Sequence, residues 1–222
     1  MDKIVDLHLN FYQSLQGEKK WVLDALSEEG ISVLTGFIDN VDLVKRFYEA
    51  CYRSQSSRVV LCGINPGRLG AGKTGVPFID YKSLSKVVKG VNNNDQELSA
   101  QFIYSIIDKF GTNTFFDSFY LTNLSWFGFT KENYNYNYYK LPIELQNEFT
   151  SGFIEEMTIV NPKIIIPLSK EVEKSLKKMK KEQLIDAPIG KALAHPYYYS
   201  NFPTRYEEGI KRYTNIIQHY IA

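Results

Sequence analysis

Residues 59–78 of the chain read VVLCGINPGRLGAGKTGVPF. The first six residues are apolar or small, which predicts a buried strand over residues 59–64. A loop rich in glycine and proline follows directly, and glycine allows the backbone turns and close approaches that other residues resist. Three further short apolar runs are typical of buried strands: 119–123, 163–168 and 191–194.

Helical periodicity separates these predicted strands. Apolar residues at three- and four-residue steps predict helices over 2–15, 41–53, 96–109, 142–160, 170–180 and 204–220. Strands that alternate with helices favour a mainly parallel sheet covered on both faces. We therefore expect an α/β fold, a three-layer αβα sandwich around a four-stranded sheet, in a single domain of residues 1–222. Residues 1–56 would form an N-terminal helical part, and residues 57–222 the sheet core that carries the site.

Composition indicates a soluble protein. Hydrophobic residues make up 44% of the 222 residues and charged residues 23%, and no apolar run approaches the ~20 residues of a membrane span. The first sixteen residues, MDKIVDLHLNFYQSLQ, carry acids where a secretory signal would be basic and then apolar. We expect a cytoplasmic protein that does not enter a membrane.

The cysteine and histidine content argues against a metal or cofactor. Two cysteines and three histidines are too few for an iron–sulfur cluster or a typical structural zinc site. The formal net charge of +1 also means that any nucleic-acid contact must be local, because phosphate binding depends on clustered Lys and Arg. The basic run at residues 177–181 is better explained as the solvated end of a helix.

Unusual residues follow the predicted strands. Ligands of parallel α/β sheets bind beyond the carboxyl ends of the strands. Here the first strand runs into the glycine-rich loop, the second ends at Asn123, and the fourth delivers His195-Pro196. A Tyr/Asn-rich segment, residues 132–140, has tyrosines that could stack on bases, although a packed surface loop is the favoured interpretation.

Part of the glycine-rich loop also fits a nucleotide-binding pattern. Residues 67–74, GRLGAGKT, match the phosphate-loop pattern G-x-x-x-x-G-K-[ST]. In that architecture a helix begins at the Lys-Thr pair, but Gly75 and Pro77 would interrupt it here. No predicted strand ends in the aspartate that would bind magnesium. A phosphate-loop nucleotide-binding enzyme is therefore the weaker alternative.

The complete loop resembles a known motif. Gly63-Ile64-Asn65-Pro66-Gly67 and Thr74-Gly75-Val76-Pro77-Phe78 resemble the first motif of the single-strand-selective monofunctional uracil-DNA glycosylases, in sequence and in spacing. Asn123 and His195-Pro196 fall in the order and approximate spacing of that family's base-reading asparagine and second motif. The resemblance runs from about residue 57 to the C-terminus and favours an outlying bacterial subfamily.

The resemblance implies a uracil-DNA glycosylase-like fold and a hydrolase of base excision repair. It implies that Asn65 positions the attacking water, that His195 stabilises the departing base anion, and that Asn123 reads the base. Phe78 would stack on the base, with Ile64 and Gly67 close to it through their backbone. The substrate would be uracil in single- or double-stranded DNA, with hypoxanthine and xanthine as further deaminated bases.

The segment after His195 departs from the family. The family has a short loop rich in Ser, Pro and Arg that enters the duplex, whereas residues 197–205 read YYYSNFPTR. We expect DNA contacts from a set of loop residues: Pro66, Gly75, Tyr198, Ser200, Asn201 and Arg205. Family analogy favours a monomer. The remaining alternative is a weakened relative that binds lesion-bearing DNA without cleaving it.

Overall fold

The computed structural model describes residues 2–54 and 56–221. Its strands are β1 (Ile31–Val33), β2 (Val59–Gly63), β3 (Phe119–Asn123), β4 (Phe129–Lys131), β5 (Tyr134–Tyr136) and β6 (Ile164–Pro167). Its α-helices are α1 (Asp2–Gln16), α2 (Lys20–Glu28), α3 (Gly36–Asp39), α4 (Val41–Cys51), α5 (Ala71–Thr74), α6 (Tyr81–Ser85), α7 (Leu98–Phe110), α8 (Thr112–Ser118), α9 (Ile143–Val160), α10 (Lys170–Lys181), α11 (Pro196–Ser200) and α12 (Pro203–Ile221). A single 3-10 turn at Tyr138–Lys140 lies between β5 and α9.

The central sheet is parallel, in the order β3-β2-β6. All residues of β2 and β3 are buried, as expected for parallel strands covered on both faces, whose residues are mostly apolar. The register pairs Gly63 at the end of β2 with Asn123 at the end of β3. The predicted α/β fold is confirmed, and this register brings two of the predicted segments together at one edge.

The fourth position of the sheet is occupied by residues 188–193. The backbone of Ile165 exchanges hydrogen bonds with Pro188 and Gly190, and the Leu193 N–H donates to the Pro167 carbonyl. A single parallel bridge, Ile165 to Ile189, results. The segment that pairs with β6 therefore starts a few residues before the strand predicted over 191–194. Its pairing is irregular because Pro167 of β6 has no N–H to donate to the ladder.

A second, smaller sheet was not predicted. It is antiparallel, with the order β1-β4-β5. Two residues, Glu132 and Asn133, join β4 to β5, and both have positive φ angles of 52° and 65°. Two-residue hairpin turns need this backbone but usually contain glycine, so the Glu-Asn pair carried little signal.

The N-terminal segment is joined to the rest of the fold through this sheet. Its strand β1 pairs with β4, and α1 packs against α4 and α9. Residues 1–56, which were predicted to be helical, therefore also contribute the strand β1. In the described residues no helix combines the length and apolarity needed to cross a membrane.

Candidate active site

A cleft of about 920 Å³ opens at the carboxyl ends of β2 and β3. Four segments contribute to its walls: 64–71, 96–99, 134–137 and 195–205. Phe78 and Asn123 lie at its buried end, with only 7% and 3% of their surfaces exposed. The cleft lies where parallel α/β sheets bind ligands.

Gly63 makes the floor of this cleft possible. A methyl group on its Cα would overlap the Asn123 amide oxygen and the tip of the Phe78 ring. Phe78 adopts a left-handed backbone with φ of 60°, which costs a non-glycine residue of order 1–3 kcal/mol. The surrounding loop holds this conformation and so keeps the ring in the cleft, 6.2 Å from the His195 ring between centroids.

The Asn123 side chain is buried yet unengaged. No described protein group forms a hydrogen bond to its amide oxygen or nitrogen, although the residue is 3% exposed. Its amide atoms lie in the cleft lining, where a ligand that replaced water without pairing with them would cost about 1–3 kcal/mol for each unpaired group. An acceptor and a donor therefore face the cleft side by side, which suits a ligand edge that offers one N–H and one C=O.

Asn65 is held firmly beside the cleft. Its Oδ1 accepts a hydrogen bond from the Tyr138 N–H at 3.0 Å, and its Nδ2 faces the Tyr136 and Pro66 carbonyls at 3.3 and 3.2 Å. An N–H can pair only with the amide oxygen and a C=O only with the nitrogen, so these neighbours decide the amide orientation. The second lone pair of Oδ1 remains for a further donor such as water.

His195 follows the fourth position of the sheet and caps the N-terminus of α11. Its Nδ1 accepts a hydrogen bond from the Tyr197 N–H at 3.1 Å. Burial lowers the pKa of His195 from 6.5 to about 4. The imidazole is thus neutral near pH 7, with its proton on Nε2, and it can donate one hydrogen bond without carrying charge.

One wall of the cleft is aromatic and cationic. Tyr197, Tyr198 and Phe202 are each about half exposed. The Arg205 guanidinium lies over the rings of Tyr198 and Phe202, 4.7 and 4.4 Å from their centroids. Exposed rings beside a guanidinium suit stacked bases and phosphate.

Most of the predicted site residues meet in this cleft. Those that line it are Ile64, Asn65, Pro66, Gly67, Phe78, Asn123, His195, Tyr198, Asn201 and Arg205. Gly75 does not, because it is buried against Phe37 of α3 with φ of 78°. Ser200 does not line it either, and its hydroxyl lies within hydrogen-bond distance of the Leu98 and Pro196 carbonyls. Gly75 allows the loop to turn and Ser200 fixes α11 to the start of α7, and as DNA contacts both stay predictions.

The structure contradicts the phosphate-loop alternative. The one-turn helix α5 ends at Thr74, where a phosphate-binding helix would begin. The Thr74 hydroxyl is buried and donates to the Ile79 carbonyl at 2.6 Å. The Lys73 ammonium forms an ion pair with Asp95. Neither side chain is free to bind a nucleotide and magnesium.

The sequence analysis gave less weight to residues 134–137 than the structure does. Tyr134, Asn135 and Asn137 line the cleft, and the Asn135 amide oxygen accepts a hydrogen bond from the Arg68 N–H at 2.9 Å. The favoured interpretation, a packed surface loop, is wrong for Tyr134 and Asn135, which belong to β5, whereas Asn137 does lie in the loop after that strand. The alternation of Tyr and Asn after Lys131 was the only local signal for β5, and over three residues it does not predict a pairing partner.

A family model described as the uracil DNA glycosylase superfamily matches residues 52–218, which is 167 of the 222 residues. The chain belongs to the uracil-DNA glycosylase superfamily. The match includes all the residues that the structure brings into the cleft. The predicted enzyme class, a glycosylase that hydrolyses an N-glycosidic bond, is confirmed.

The glycosylase is also similar to a solved structure, the crystal structure of wild-type SMUG2 from Pedobacter heparinus. The two share 28% sequence identity with a TM-score of 0.71, over 86% of this chain and 88% of that chain. This similarity confirms the predicted resemblance and fold. No curated protein matches the glycosylase. Within residues 2–54 and 56–221, no three Cys, His, Asp or Glu side chains cluster as they would to hold a metal ion.

Proposed function

We propose that the glycosylase removes uracil from DNA by hydrolysis, in one step that needs no covalent enzyme–sugar intermediate. The observation that carries the proposal is the unengaged Asn123 amide beside Phe78 at the buried end of the cleft. Uracil offers N3–H and O4 to that amide, and its face to the ring. Cytosine has the opposite pattern at those two atoms and would leave both Asn123 groups unpaired.

In the proposed reaction, the water oxygen forms a bond to C1′ while the bond from C1′ to N1 of uracil breaks. The electron pair of that bond leaves with the base, so negative charge grows near O2 and positive charge grows on the sugar. Asn65 Oδ1 orients the water through its remaining lone pair. His195 donates from Nε2 to O2, and a proton of the water is lost to solvent.

The residues that line the cleft support a monofunctional enzyme and a slow chemical step. No lysine lines the described cleft, so no amine is at hand to form a Schiff base with the sugar. Asn65 is an amide and cannot act as a strong base. We expect the reaction to be slower than in uracil-DNA glycosylases whose site is built around an aspartate at the matching position.

Contacts to DNA are assigned to the residues that remain at the cleft. Tyr198, Asn201 and Arg205 would meet the strand, and Pro66 would pack against its sugar-phosphate backbone. The backbone at Ile64 and Gly67 would lie next to the base. Hypoxanthine and xanthine share a ring N–H next to a carbonyl with uracil, so the proposal extends to them as further substrates.

The test incubates the protein with single- and double-stranded oligonucleotides that contain uracil, hypoxanthine or xanthine, and then cleaves abasic sites with alkali. Asn65→Ala and His195→Ala should each remove most of the activity. The matched controls are Asn147→Ala and His219→Ala, which replace exposed residues of the same types. Both should keep the activity. Intact strands with the wild-type protein would refute the proposal, and binding without cleavage would identify a relative that only binds lesions.

A further inference from the structure

Tyr134 is exposed without a structural reason. It is the first residue of β5, and 74% of its surface is accessible, the largest exposure among the large apolar side chains of the described residues. Its ring packs against no other described aromatic ring, and its hydroxyl forms no described hydrogen bond. Fold stability therefore does not account for a tyrosine here.

Exposed apolar side chains concentrate at the cleft. Of the eleven that the described residues expose, six line it. These six are Leu69, Leu98, Tyr134, Tyr197, Tyr198 and Phe202. A clustered exposed apolar surface marks a binding site, whereas single exposed residues need no explanation.

Contacts between neighbouring segments give the order of residues around the rim. Asn135 next to Tyr134 accepts the Arg68 N–H at 2.9 Å. Gly70, two residues later, lies against the Glu97 side chain, and Leu98 accepts the Ser200 hydroxyl at 3.0 Å. The rim therefore runs from β5 through the glycine-rich loop and the start of α7 to α11. In this order, the glycine-rich loop and the start of α7 lie between Tyr134 and the aromatic wall of residues 197–205.

The position of Tyr134 is fixed relative to the reacting groups. The Tyr136 carbonyl and Tyr138 N–H, on the same segment, hold the Asn65 amide. Tyr134 itself pairs with Lys131 across the two-residue turn. A base that stacks on Tyr134 would thus be held at a constant distance from the nucleotide over Asn65.

The chemistry of this end of the rim suits a nucleotide. Arg68 is exposed beside Leu69 and can approach a phosphate. Glu97 is the one acid among the described lining residues, and its carboxylate accepts the Ala100 N–H at 2.9 Å. Arg68 and Arg205 exceed Glu97 by one charge, so the lining is net positive. The local charge complements DNA.

We propose that Tyr134 is a stacking site for a base adjacent to the excised nucleotide, on the side of the cleft that β5 forms. This inference rests on the proposed function, because it presumes a DNA strand in the cleft. Tyr134 contacts a neighbouring base and not the reacting atoms, so it determines affinity for DNA and leaves the chemical step unchanged.

The test compares Tyr134→Ala, Tyr134→Phe and Trp21→Ala on a short single-stranded oligonucleotide with one uracil. Base–aromatic stacking predicts that Tyr134→Ala raises KM by about fivefold or more, with kcat unchanged. Tyr134→Phe should behave as the wild type because the ring remains. Trp21→Ala, which removes an exposed aromatic residue away from the cleft, should have no effect.

A second set of oligonucleotides replaces the base on one side of the uracil by an abasic spacer. When the spacer replaces the base that stacks on Tyr134, KM should rise for the wild type. The KM values of the wild type and of Tyr134→Ala should then be equal. The inference would be overturned if the KM difference between wild type and Tyr134→Ala persisted with the spacer on either side of the uracil. It would also be overturned if KM of Tyr134→Phe were raised as in Tyr134→Ala.

Equilibrium binding separates this inference from the proposed function. If the wild type cleaves uracil-containing strands and Tyr134→Ala binds and cleaves them normally, only the stacking site is refuted. If the wild type cleaves nothing, the proposed function fails. The same oligonucleotides, followed by fluorescence anisotropy, then decide the stacking site: weaker binding by Tyr134→Ala that the spacer abolishes supports it, and equal binding refutes it.

Discussion

The backbone N–H of Tyr197 donates a hydrogen bond to Nδ1 of His195 at 3.1 Å. A ring nitrogen that accepts cannot carry the proton, so the neutral imidazole presents Nε2–H to the cleft. Protonation of Nδ1 would place two donors against each other. The N-terminus of α11 therefore sets the tautomer that the proposed reaction uses.

The pH dependence of kcat/KM follows from this contact. Because burial lowers the pKa of His195 to about 4, its neutral form persists well below the ordinary value of 6.5. We expect no inflection from a histidine between about pH 5 and 8. A pH profile of uracil excision checks this, and a histidine-like inflection near 6.5 that disappears in His195→Gln would contradict it.

The same shift affects stability. Between pH 6.5 and about 4 the unfolded chain binds a proton at His195 that the folded chain does not. The contribution to stability therefore falls as the pH is lowered through that range. Urea unfolding at several pH values should show a weaker pH dependence there for His195→Gln than for the wild type.

Asn65→Asp should lower activity and not raise it. A carboxylate would add negative charge near the sugar. One of its oxygens, however, would take the place of Nδ2, which now lies 3.3 Å from the Tyr136 carbonyl and 3.2 Å from the Pro66 carbonyl. Losing those donors and adding repulsion should displace the side chain. We expect a rate at least about tenfold below wild type, equivalent to about 1.4 kcal/mol. A faster variant in single-turnover assays would contradict the assigned contacts.

Asn123→Asp should weaken the recognition of uracil. The variant replaces the amide donor by a second acceptor, so uracil O4 loses its partner while N3–H keeps one. We expect kcat/KM for uracil to fall by about tenfold or more, since a buried unpaired group costs about 1–3 kcal/mol. Competition assays with uracil- and cytosine-containing strands measure the change in selectivity. Full uracil activity would refute the base-reading role.

Gly63→Ala should damage the site more than the fold. The added methyl group overlaps the ends of the Asn123 and Phe78 side chains, which must both move. We expect excision to fall by at least about tenfold, with a moderate loss of stability from overpacking of about 1–3 kcal/mol. Gly17→Ala is the control. Its added methyl group would lie 3.9 Å from the nearest atoms and should leave excision unchanged.

Asp80→Ala should reduce stability strongly. The buried carboxylate accepts hydrogen bonds from the Ser83 N–H, the Glu97 N–H and the Gln101 amide, at 2.8, 2.8 and 2.7 Å. Its removal leaves three donors without a partner, at a cost of about 3 kcal/mol or more. Urea unfolding measures this loss. The exposed Asp24→Ala variant on α2 should change stability by less than about 0.5 kcal/mol.

The long helices and the central strands could be predicted because their patterns are local. The apolar run of β3 was predicted with its observed bounds, and the helix predicted over 142–160 is observed as Ile143–Val160. The small sheet could not be predicted, because β1 and β4 are three residues each and pair across about a hundred residues of chain. Such short strands gain stability only from partners distant in sequence.

By itself, the sequence determined the α/β fold, the glycine-rich loop after β2 and the residues that resemble a glycosylase motif, because strand burial and loop chemistry are written in neighbouring residues. Only the tertiary structure decided how those residues work together. The parallel register placed Asn123 beside Gly63, and the chain turn at α11 gave His195 its tautomer. The β4–β5 hairpin, which locks Asn65 and presents Tyr134, depends on contacts between segments about seventy residues apart, and no local pattern encodes such contacts.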